Sequence, residues 1–94
     1  MNSLGFKFYQ IGVLDNFPNQ IHFDMDNITV RELFMHLSEK YSRDIENYLI
    51  DEGDRIKSEY VLILNGVNIV EYQGLDSIIP KDSELLLSVL MFGG

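Results

Sequence analysis

Ile28-Thr29-Val30-Arg31-Glu32-Leu33-Phe34-Met35-His36-Leu37-Ser38-Glu39-Lys40-Tyr41 is the stretch on which the reading of the fold turns. Val30, Leu33, Phe34, Leu37 and Tyr41 fall at i, i+3, i+4, i+7 and i+11, one stripe of an amphipathic helix. Thr29 and Glu32 have the T-x-x-E spacing of a capping box, which satisfies two orphan amide donors and fixes where the helix begins. Ile28 before the cap and Leu33 at the fourth helical position can close a hydrophobic staple. Arg31, Glu32, Glu39 and Lys40 occupy the other faces.

On either side of this helix the period changes from 3.6 to 2. Upstream, Phe6-Lys7-Phe8-Tyr9 alternates at strand period, a turn-rich cluster follows at Asp15-Asn16-Phe17-Pro18-Asn19, and Ile21-His22-Phe23-Asp24 alternates again. These segments predict an amino-terminal hairpin. Downstream, residues 42–59 carry only scattered apolar groups, Ile45, Tyr48, Leu49 and Ile56, which predicts a short helical turn and an inward-tucked loop. Tyr60-Val61-Leu62-Ile63-Leu64 is an uninterrupted apolar run, the pattern of a strand covered on both faces. Asn65-Gly66 marks a tight turn after it, and residues 67–72 read as a short, weaker strand. Ile79-Pro80-Lys81-Asp82 is a further turn, with proline at its second position. Glu84-Leu85-Leu86-Leu87-Ser88-Val89-Leu90-Met91 reads as the last strand. A hairpin, one main helix and later strands make an α+β layer architecture. The expected fold is the β-grasp of ubiquitin, with a mixed sheet of four to five strands and the helix on one face. Residues 1–89 form its single domain and residues 90–94 a flexible tail.

The chain has 94 residues, of which 46% are hydrophobic and 12% aromatic, enough apolar content for one small core. It has no cysteine, which excludes disulfides, thiolate-bound zinc and cysteine nucleophiles. Fifteen acidic residues against seven basic ones give a net charge of −8, which disfavours direct contact with nucleic acid. No apolar run reaches the ~20 residues that span a bilayer, and the first residues lack the layout of a signal peptide. The expectation is a soluble cytoplasmic monomer without membrane contact.

Nothing in the sequence reads as catalytic machinery. His22 and His36 lie on a strand and on the helix with no H-E-x-x-H spacing, so both read as structural or solvated. Asp51-Glu52-Gly53-Asp54 is too short for a calcium loop, and the glycines form no phosphate cradle. No catalytic residue, metal site or bound cofactor is expected, and the chain is read as a non-enzyme.

Two features point to function. The first is Phe92-Gly93-Gly94 directly after the last strand. With glycine at about 7% of residues, a closing Gly-Gly arises by chance in roughly one chain in two hundred. Without Cβ atoms, a diglycine can thread a channel closed to other residues. Its free carboxylate, with a pKa of about 3.5, is ionised at neutral pH and a poor acyl donor. Condensation with ATP to an acyl-adenylate supplies a leaving group, after which sulfur or an amine can attack. Residues 90–94 extend about 16 Å, enough to enter a partner's active site. The second feature is parity in the last strand. Leu85, Leu87, Val89 and Met91 form one apolar set that should meet the helix, which leaves Leu86, Leu90 and Phe92 on the uncovered face as a candidate partner surface.

The carboxyl half resembles the ubiquitin-related modifier family of sulfur carriers. The resemblance rests on Gly53-Asp54, Lys57, Leu62-Ile63-Leu64-Asn65, Gly74-Leu75-Asp76, Asp82 and Gly93-Gly94, with Thr29-Val30-Arg31-Glu32-Leu33 similar to the family's helix start. Ile69, Gly66, Ser58-Glu59 and Met91-Phe92 depart from its pattern. The resemblance implies that an E1-like adenylyltransferase and sulfurtransferase binds the body and activates Gly94 with ATP and magnesium. A rhodanese-type persulfide then makes the thiocarboxylate. It further implies delivery of sulfur to a tRNA thiolation enzyme for 2-thiolation of the wobble uridine, and attachment of some members to lysines of target proteins. The small sulfur-carrier subunit of molybdopterin synthase is the alternative, since it shares fold and tail but tends to carry prolines before its diglycine.

Overall fold

The computed structural model describes residues 5–90. Phe6–Ile11 (β1) and Gln20–Phe23 (β2) pair antiparallel as the amino-terminal hairpin. Val30–Tyr41 (α1) follows Ile28–Thr29 (β3), and Ile45–Leu49 (α2) is a second, short helix. Tyr60–Leu64 (β4), Val67–Asn68 (β5), Ile78–Ile79 (β6) and Glu84–Val89 (β7) complete the strands. The main sheet runs β2-β1-β7-β4-β5, with β7 parallel to β1 and antiparallel to β4. This is the expected mixed β-grasp sheet, and the last strand lies at its centre. A separate two-stranded ladder, β3 with β6, was not expected from the sequence. Two-residue strands carry no periodicity, so only the partner reveals them.

The helix forms as its sequence dictates. Thr29 Oγ1 accepts from the Glu32 amide at 3.0 Å, and the Glu32 carboxylate accepts from the Thr29 amide at 2.9 Å. Both halves of the capping box are therefore made. Val30, Leu33, Phe34 and Leu37 are fully buried against Phe6, Phe8, Leu62, Leu85 and Leu87 of the sheet in one core. Burial of each such side chain contributes about 1.5–3 kcal/mol relative to leaving it in water. Ser42, in the left-handed region at φ 53°, ends the helix. Asn65 and Gly66, both at positive φ, make the tight β4–β5 turn that the Asn-Gly pair predicts. Gly5 has no alternative residue: at φ +100° a Cβ there would overlap the Phe23 carbonyl.

Three sequence expectations are refined, the first being that the last strand, read to Met91, ends at Val89. The strand β4 is not covered on both faces: Leu62 and Leu64 are buried, while Val61 and Ile63 are half-buried on the side away from α1. The expected strand over 67–72 stops after Asn68, whose side chain accepts from the Val70 amide and opens a 3-10 turn, Ile69–Glu71. A second 3-10 turn covers Gly74–Asp76. Among the described residues no helix is long and apolar enough to cross a membrane.

The β1–β2 connection is ordered by one buried amide. Gln10, 2% exposed, points inward from β1 and accepts from the Val13 and Leu14 amides while donating to the Leu14 carbonyl. Its donors and acceptor thus satisfy the turn that lets Val13 and Leu14 return to the core. Arg43 closes the other side of this loop, donating to the Asp15 carbonyl at 2.6 Å and lying over the Phe17 ring.

Candidate partner-binding site

The ladder registers decide what the uncovered face presents. Gln20, Tyr9, Leu86 and Ile63 stand side by side across β2, β1, β7 and β4. One rung toward the end of β7, Ile11, Ser88 and Val61 form the next row. In the opposite direction lies a polar row of His22, Lys7 and Glu84. Tyr9, Leu86, Ile63 and Val61 are half-buried, and Ile11 is 61% exposed. A groove of about 620 Å³ runs over this face, lined by Tyr9, Ile11, Gln20, Ile63 and Leu86. Among the described residues no helix lines it.

Leu86 therefore occupies the middle of an apolar strip on the open face, while its neighbours Leu85 and Leu87 are fully buried. Leu90, of the same parity, is 42% exposed just beyond the strand. Its amide donates to the Glu59 carbonyl at 2.8 Å, continuing the β4–β7 pairing past the last rung, Tyr60 with Val89. Phe92, Gly93 and Gly94 lie outside the described residues. Tyr9, Ile11, Val61 and Ile63 belong to the same surface and were not singled out from the sequence. The alternation read over Phe6–Tyr9 continues in the structure to Ile11, so Tyr9 and Ile11 stand opposite Phe6 and Phe8. What the sequence lacks is the lateral order that sets β1 and β4 on either side of β7.

Both histidines are exposed. His22 Nε2 lies 3.4 Å from Asp24, and His22, Asp24, His36 and Glu39 border one shallow depression. Among the described residues no group of three or more histidines or carboxylates is arranged to hold a metal ion.

Arg31 ties together three stretches that carry the family resemblance. Its guanidinium forks onto Asp54 at 2.6 and 2.9 Å and reaches Asp76 at 3.4 Å. The Gly-Asp of the loop, the Leu-Asp of the 3-10 turn and the helix start thus meet in one ion-pair cluster, and the role visible there is structural. The hydrogen bond from Arg31 holds the Asp54 carboxyl below the usual carboxylate range, and the Thr29 amide does the same for Glu32. Depressed folded-state values mean that the unfolded chain takes up these protons first as pH falls. Both contributions are complete above about pH 4–5 and fade as pH drops through the lower folded values. Urea unfolding from pH 7 to pH 2 should show Asp54→Asn less stable than the parent at neutral pH and converging with it at the acid end. A gap independent of pH would separate Asp54 from the acid response.

The sequence matches no protein-family model and no curated protein. Solved structures do match. The Haloferax volcanii HVO 2177 protein superposes with a TM-score of 0.72 at 17% identity, over 97% of this chain and 87% of that one. The small archaeal modifier protein 1 of Methanosarcina acetivorans gives 0.69 at 17% identity, over 97% and 98%. Urm1 of Trypanosoma brucei gives 0.69 at 14% identity, over 100% of both chains. The fold is that of the ubiquitin-related modifiers. At these identities the likeness speaks for the fold, and the chemistry must be argued from this chain's own residues.

Proposed function

We propose that this chain is a ubiquitin-like sulfur carrier with Gly94 as its activated end. The reading rests on one conjunction. An apolar strip centred on Leu86 lies on the central strand of a β-grasp sheet, and the sequence continues from that strand through Leu90 and Met91 to Phe92-Gly93-Gly94. Leu86, Leu90 and Phe92, together with Tyr9 and Ile63, bind an E1-like enzyme, and the diglycine enters its active site. The Gly94 carboxylate attacks the α-phosphorus of ATP, held with magnesium by the partner, and pyrophosphate leaves. The terminal sulfur of a persulfide then attacks the acyl carbon and AMP leaves. A second thiol of the partner cleaves the resulting S–S bond, which releases the Gly94 thiocarboxylate and leaves the partner as a disulfide.

Transfer of that sulfur to the wobble uridine of tRNA follows through a separate thiolation enzyme. The net charge of −8 supports a carrier that hands sulfur to an RNA-binding partner and makes no RNA contact itself. The acyl-adenylate can equally be attacked by a lysine amine, which makes the chain a modifier of target proteins through an isopeptide bond. Exchange of labelled pyrophosphate into ATP by the E1-like enzyme tests the reading. The chain should stimulate exchange, and no stimulation at saturating concentrations would contradict it.

A further inference from the structure

The structure gives the short helix α2 a purpose that its weak sequence pattern does not suggest. Tyr48 on α2 donates its hydroxyl to the Val13 carbonyl at 3.2 Å. Its ring stacks on Tyr60 with centroids 6.1 Å apart and planes 19° from parallel. Tyr60 is the first residue of β4 and faces Val89 across the last β4–β7 rung. One residue earlier, the Glu59 carbonyl accepts from the Leu90 amide. The same end of β4 is held to α2 a second time, because the Lys57 amide donates to the Leu49 carbonyl at 2.8 Å and the Tyr60 amide to the Lys57 carbonyl at 3.0 Å. The loop that carries Val13 is in turn fixed by buried Gln10. Gly12, next to Val13, faces Val89, since a Cβ there would meet the Val89 Cγ2 at 3.9 Å.

We infer that α2 is a bracket for the root of the tail, and that Tyr48 is its positioning residue, setting where and in which direction the chain leaves the body after Leu90. This inference rests on the proposed activation of Gly94. The physical need is plain. From the Leu90 amide, the four residues to the proposed reacting Gly94 span at most about 14 Å. Open-face contacts place the body, while the end of β4 that holds the Leu90 amide sets where the chain leaves it. A displacement of about 1 Å at a reacting carboxylate can cost on the order of a hundredfold in rate. Tyr48 never meets the reacting atoms. It acts through Tyr60 and Glu59, and its half-exposed ring lies beyond the apolar strip itself.

The experiment pairs two variants with two readouts. In adenylation by the cognate E1-like enzyme, Tyr48→Ala should lower kcat about tenfold or more with KM within twofold, because the body still docks through the open face. Tyr48→Phe, which keeps the stacked ring, should recover most of that loss. A KM rise with unchanged kcat would make Tyr48 a surface contact and overturn the inference, as would full activity of Tyr48→Ala. The second readout needs no partner. Hydrogen exchange at the Leu90 amide of the folded protein should speed up about tenfold in Tyr48→Ala, while the β1–β2 ladder amides stay as protected as in the parent. Equal protection at Leu90 would overturn the bracket even if the carrier reading holds. If the parent chain is not adenylated at all, the carrier reading falls and the exchange result still decides the bracket. Should Tyr48→Ala fail to fold, Tyr48→Leu takes its place in both measurements.

Discussion

Removing Gly94, or adding one residue after it, should abolish acyl-adenylate formation, with a loss of more than about a hundredfold, while the domain stays folded. The reasons are geometric and chemical. The Leu90 amide is held by the Glu59 carbonyl, so each residue of tail adds or removes about 3.5 Å of reach. Reacting groups must approach within roughly 3–3.5 Å, and one residue therefore spans the whole tolerance of a near-attack geometry. An added residue also replaces the Gly94 carboxylate by an amide, which cannot attack ATP. The core lies elsewhere, in Phe6, Phe8, Phe34, Leu62, Leu85 and Leu87, so thermal unfolding should be unchanged within a degree or two. Adenylation that survives the deletion would remove Gly94 from the chemistry.

The second large effect separates two neighbouring leucines. Leu87 is fully buried in the central strand, and Leu87→Ala should cost about 2–5 kcal/mol through lost transfer energy and the cavity left behind. A domain of this size holds only about 5–15 kcal/mol in total, and each kcal/mol moves the melting temperature by about 4–8 °C. Leu86, one residue earlier, faces the open groove with Tyr9 and Ile63. Leu86→Asp should leave the fold standing and weaken binding of the E1-like enzyme about ten- to hundredfold, the worth of one buried side chain plus a desolvated charge. Leu90→Asp should act in the same direction, more weakly because it lies at the margin of the strip. Calorimetry on Leu87→Ala and titration of the partner with Leu86→Asp check both halves. Unchanged affinity would move the partner surface off this face.

The pair also illustrates what the sequence could and could not convey. Parity within β7 separated Leu85 and Leu87 from Leu86 and Leu90 without any structure, because the strand period is 2 whatever the strand's neighbours. The capping box, the helical stripe and the Asn65-Gly66 turn were legible for the same reason: each is decided by residues within a few positions of one another. Long-range pairing was not. Tyr9 and Ile63 join Leu86 only because β1 and β4, far apart along the chain, flank β7 on its two sides. The apolar run of β4 looked buried on both sides because an apolar residue facing a partner surface reads like one facing a core. Arg31 and Asp54 are separated by 23 residues, and Tyr48 and Val13 by 35, so neither contact leaves a local signature. The bracket around the tail root was invisible for that reason.

The most direct test of the carrier reading is the intact mass of the protein freshly isolated from its own cells under conditions that preserve thioacids. The account predicts a population heavier by one oxygen-to-sulfur exchange, with fragmentation placing the sulfur at Gly94. An ordinary carboxylate throughout, in cells actively thiolating their tRNA, would contradict it.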